Sequence, residues 1–208
     1  LVRRMAEEKW LKSSIISRKG IPEILKVIEE LYPDYDTREI REKAQEGLIP
    51  NPFVLETSAS EAERALAGLL HREQAFFFLS YIQLLLEQSF EKGEVAGEPS
   101  VAEEVDKLLL VGADALAHAI LVLIGIEKTH NIAIEIAPLL SQIVPIAVIL
   151  RRDKVAEDVL TLIFAVTEKP DKKEDKVALA EAFAKGFEEV NLMKIAEELR
   201  SLASKVES

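Results

Sequence analysis

The chain has 208 residues, 49% of them hydrophobic and 30% charged, and a net charge of −11. That is enough apolar content for a sizeable core, and far too acidic for a general nucleic-acid binder, whose affinity comes from neutralising phosphates. The absence of cysteine excludes disulfides, thiolate metal ligands and cysteine nucleophiles, and agrees with a reducing cytoplasm.

In chain order, apolar spacing predicts a first helix over residues 2–17, stopped by Gly20. This arm is basic, with Arg3, Arg4, Lys9, Lys12, Arg18 and Lys19 against Glu7 and Glu8, so it is expected to pack on the acidic remainder. It also holds Trp10, the only tryptophan, a natural anchor for a partner. With Leu rather than Met at position 1, further residues are expected upstream; residues 1–20 show no apolar run resembling a secretory signal. A second helix is expected from Pro22 to Tyr32, and a third, opened by Asp36 and Glu39 as a capping box, ends at Gly47. Residues 1–47 therefore read as an N-terminal three-helix subdomain. Residues 48–57, with Pro50, Asn51 and Pro52, read as a connector.

Residues 58–208 read as a domain of helical hairpins. Ser58 with Glu61 and Ser60 with Glu63 offer capping boxes for a long helix to Phe90. Gly93, Gly97 and Pro99 break the chain, and Ser100 with Glu103 opens a helix to Ile126, with a potential interruption at Gly112. Helices over 131–150, 154–167, 175–187 and 192–206 follow. No segment alternates with period two, so no sheet is predicted. Short connections imply antiparallel neighbours, giving an all-α fold built as an α-solenoid-like array or a helical bundle.

A recurring pattern supports an array. Alanine, two variable residues, an apolar residue and usually leucine recur from Ala75, Ala117, Ala156 and Ala196, a spacing of about 40 residues that suits one hairpin per repeat. Pro99 and Pro138, Val105 and Val144, and Asp114 and Asp153 share the 39-residue offset of Ala117 and Ala156. In general form only, such an array resembles the HEAT and tetratricopeptide solenoids, whose consensus residues it lacks. Sparse Asn and Gln beside abundant Glu and Lys fit a thermophile.

Two 19-residue apolar stretches, 108–126 and 132–150, outline a membrane hairpin. Asp114 and His118 in the first and Glu135, Gln142 and two prolines in the second oppose it: one central aspartate costs about 3 kcal/mol on insertion. A buried pair of helices accounts for the same apolarity.

Chemical motifs are few. Asp114 and His118, four apart on one helix face, are candidate metal or general-base residues, with Glu135 as a third. Glu127 and His130 form a lone Glu-x-x-His expected in a turn. Phosphate loops and nucleophile elbows are absent from the sequence. The run Phe76, Phe77, Phe78 and Tyr81 points all round a helix, so either the helix is covered on every side or one face meets a partner. The sequence thus favours a non-enzymatic scaffold or adaptor without a cofactor, binding a protein partner or another copy through Trp10, Phe77 and Tyr81. A ligand-binding protein using Asp114, His118 and Glu135, and a membrane-associated protein, are the alternatives.

Overall fold

The computed structural model describes residues 8–12, 20–91 and 99–207. The fold is all-α apart from one small ribbon. The elements are β1 (Trp10–Lys12), α1 (Gly20–Leu31), α2 (Arg38–Gln45), β2 (Leu48–Pro50), α3 (Pro52–Leu55), α4 (Glu61–Glu91), α5 (Pro99–Ile124), a 3-10 turn (Glu127–Thr129), α6 (His130–Ile149), α7 (Asp153–Glu168), α8 (Lys173–Glu189) and α9 (Met193–Glu207).

The ribbon corrects two expectations: no sheet was foreseen, and residues 10–12 were placed within a helix. Trp10, Leu11 and Lys12 instead pair antiparallel with Pro50, Ile49 and Leu48. The proline-rich connector cannot continue a helix, but its apolar residues make a strand that needs a partner edge. Asn51, 1% exposed, fixes the junction: its backbone N–H donates to the Lys9 carbonyl, its amide donates to the Glu8 carbonyl, and its side-chain oxygen accepts from Phe53 N–H at 3.0 Å to cap α3.

Local signals place several helix ends. Asp36 accepts the Arg38 backbone N–H at 3.0 Å, while Glu39, its expected partner, approaches Lys9 at 3.9 Å instead. Ser60 accepts from Glu63 N–H, and the Glu63 carboxylate reaches back to Ser58. Gly93 and Gly97 lie outside the described residues.

Close approaches give the hairpin register. A Cβ on Gly68 would lie 2.6 Å from the Leu123 side chain, and one on Gly112 would lie 3.1 Å from Leu79. As 68 meets 123 and 79 meets 112, α4 and α5 run antiparallel. Helix α6 packs against α5, α7 and α8, and α9 against α8. Arg152 ties the α6–α7 turn to α5 through two hydrogen bonds of 2.6 Å to Asp106. One continuous apolar cluster runs from Ile21 and Leu25 in α1 through α4 to Leu199 in α9.

All four recurring alanines are buried, as small residues at helix seams should be. Helix α5 nevertheless runs unbroken through Gly112. The 39-residue register therefore aligns one continuous helix with the end of α6, a turn and the start of α7, and the matched residues do not occupy equivalent places.

Candidate functional site

Two sites attract attention, one polar and one apolar. At the polar site, Asn51 and Pro52 start α3, which delivers Phe53 and, at its end, Glu56 to the flank of α4. His71, 1% exposed, sets its Nε2 3.0 Å from the Glu56 carboxylate. The Phe53 ring meets His71 and His118 edge-on at 5.0 and 5.6 Å, and the two imidazoles lie 5.2 Å apart. His118 Nδ1 is 3.0 Å from the Asp114 carbonyl and 3.7 Å from its carboxylate.

Asp114 and His118 therefore come together as expected on one face of α5. Glu135 does not join them: it is exposed on α6, and among the described residues no three His, Asp or Glu side chains converge on a metal position. The residues that do gather at His118 are Phe53, His71 and Glu56. Their distance along the chain hid this grouping; the only local signal was the Asn-Pro start of α3. The bond from buried His71 to Glu56 ties the end of α3 to α4. The Glu127/His130 pair lies at a turn as expected, where His130 faces Asp175 at 3.6 Å.

The apolar site lies between α4 and α6, across α5. Ile82, Leu109 and Ile143 are its buried floor, and Leu139 and Ile146 its exposed far wall. The groove encloses about 340 Å³ and its polar lining is Ser80, Gln83 and Gln142, with no charged side chain. Carboxylates stand just outside it: Gln83 donates to Glu87 at 3.3 Å and Gln142 to Glu189 at 3.1 Å. Beside it along α4 runs a ridge of Phe77, Tyr81 and Leu84, which are 39%, 41% and 47% exposed. The Phe77 and Tyr81 rings stack with centroids 6.3 Å apart.

Of the three residues expected to bind a partner, Phe77 and Tyr81 thus share one exposed stripe. Trp10 is elsewhere, on the ribbon, packed against the core with Lys9 and Lys43 over its ring at 5.6 and 6.0 Å. Two segments, Ala102–Ile124 of α5 and Glu127–Ile149 of the 3-10 turn with α6, are long and apolar enough to cross a membrane, with 56% and 44% of those windows buried within the fold. No family model, curated protein or solved structure matches this chain, so the chemistry of its own residues carries the functional reading.

Proposed function

We propose that this chain is a non-enzymatic helical scaffold of a reducing cytoplasm, and that it works by holding the apolar face of another helix in the α4–α6 groove. The single observation that carries this reading is the uncharged groove walled by exposed Leu139 and Ile146 beside the exposed Phe77–Tyr81 ridge. On an acidic chain, charge is the cheapest way to keep a surface wet. A face that omits charge and exposes stacked aromatics is suited to desolvation by a partner. An apolar groove between two helices suits helix-in-groove recognition, with anchors at steps of three and four residues.

Affinity capture from source lysate with the parent chain and with Ile146→Glu, run side by side, tests the proposal. A protein recovered in fixed ratio by the parent and lost with Ile146→Glu is the expected result. Equal recovery by both chains overturns it, as does recovery of lipid in place of protein.

A further inference from the structure

Resting on that reading of the groove, we propose that the helix it takes belongs to another protein and is basic and amphipathic: an apolar stripe about two turns long, bracketed by lysines or arginines. The two walls carry the matching pattern. On α4, Glu73, Phe76, Ser80, Gln83 and Glu87 recur at steps of three and four residues and share a face, as do Glu135, Leu139, Gln142 and Ile146 on α6. The α4 wall is thus uncharged along its middle and acidic at both ends, and the α6 wall starts with a carboxylate. Glu189 of α8 adds another beside Gln142.

This acidic rim lacks counterions. Glu87, Glu135 and Glu189 are exposed and Glu73 is half-buried, and none of the four makes an ion pair among the described residues. Against them stand Arg72, drawn in over the Phe76 ring at 6.0 Å with its Nε buried, and Lys185, exposed one turn before Glu189. The glutamines add to the bias. A carboxylate only accepts, so Gln83 and Gln142 turn their NH2 groups to Glu87 and Glu189 and keep their amide oxygens as further acceptors at the groove. An apolar floor inside a rim of acceptors matches apolar side chains flanked by donors.

Spacing sets the size of the segment. Leu139 and Ile146 stand two turns apart, about 10 Å, and Glu73 and Glu87 about 21 Å. Apolar anchors over two turns of the partner therefore cover the floor, and a lysine or arginine one turn beyond them reaches a carboxylate while its aliphatic stem lies on the exposed apolar wall. Charge disfavours the rival occupants. A second copy would bring the same carboxylates and a net charge of −11, and an anionic lipid surface would meet the rim with like charge.

The test titrates the full chain into a labelled synthetic peptide of about 16 residues, with leucines at steps of three and four and lysines flanking them, and follows fluorescence anisotropy. A twin peptide carries glutamates for the lysines. The lysine peptide should bind about tenfold more tightly than its twin, and the gap should narrow as salt rises. Glu87→Gln, Glu135→Gln and Glu189→Gln together should weaken its binding about tenfold. Glu157→Gln, Glu197→Gln and Glu198→Gln, the same charge change at exposed positions of α7 and α9, should alter it less than about twofold. Ile146→Ser, which removes apolar wall without adding charge, should weaken it about tenfold. Equal binding of the two peptides, no binding of either, or equal losses in the two triple variants overturns the basic partner. If capture from lysate still depends on Ile146 in that case, the groove reading survives with a partner of other charge; if it does not, both fall.

Discussion

Gly186 shows how narrowly single atoms set this packing. A Cβ there would sit 2.8 Å from both the Cα and the carbonyl oxygen of Pro138, backbone atoms that cannot swing aside. Gly186→Ala should therefore cost about 1–3 kcal/mol through overpacking, despite the better helix propensity of alanine. A lowered midpoint of thermal unfolding checks this; an unchanged or raised midpoint contradicts it. Asp36 offers a titratable counterpart. Its side-chain and backbone hydrogen bonds with Arg38 hold its carboxyl down at about 2, against an ordinary value of 3.8. A depressed native value means that its stabilising effect is complete above the unfolded value and is lost as pH falls through about 2. The pH dependence of unfolding of Asp36→Asn, followed between pH 4 and 2, should be shallower than the parent's. Neither residue was equally legible beforehand: Asp36 announces a helix start by its spacing, whereas Gly186 matters only because α6 crosses α8 at that point.

At the scale of elements, the ribbon is the part most dependent on one side chain. Asn51 joins β2, α3 and the strand before it through bonds to Lys9, Phe53 and the Glu8 carbonyl. Asn51→Ala removes the α3 cap and the tie to Glu8, at a cost of about 1–2 kcal/mol. Trp10 fluorescence should shift to the red in Asn51→Ala under native conditions, since its strand pairs beside that junction. An unshifted spectrum would show that the strand holds without the asparagine. The long helices needed no such aid to be read. Helices α6 to α9 lie within two residues of their expected bounds because their apolar faces repeat at 3.6 residues and two of the three turns between them carry charge. The strand was missed because Trp-Leu-Lys is as compatible with an amphipathic helix as with a ribbon, and its partner lies far along the chain.

For the whole molecule, the continuous cluster from α1 to α9 predicts one cooperative transition. Lys128 reinforces the coupling by donating to the Leu31 carbonyl at 2.8 Å and lying over the Tyr32 ring at 4.8 Å, a cation at the C-terminal end of α1 where the helix dipole favours it. Trp10 fluorescence and helical circular dichroism should therefore give coincident denaturation curves. Two separated midpoints would mean that residues up to 47 unfold on their own.

By itself the sequence determined the all-α class, most helix boundaries, the burial of the four seam alanines and the pairing of Asp114 with His118, because each depends on periodicity or on neighbours within one or two helical turns. Only the tertiary structure decided that Glu135 stands away from that pair, that Phe53, His71 and Glu56 replace it, that Trp10 belongs to a strand, and that Phe77 and Tyr81 border an uncharged groove. Those facts depend on which helices touch and in what register, and register is the sum of many weak packing choices spread across the chain.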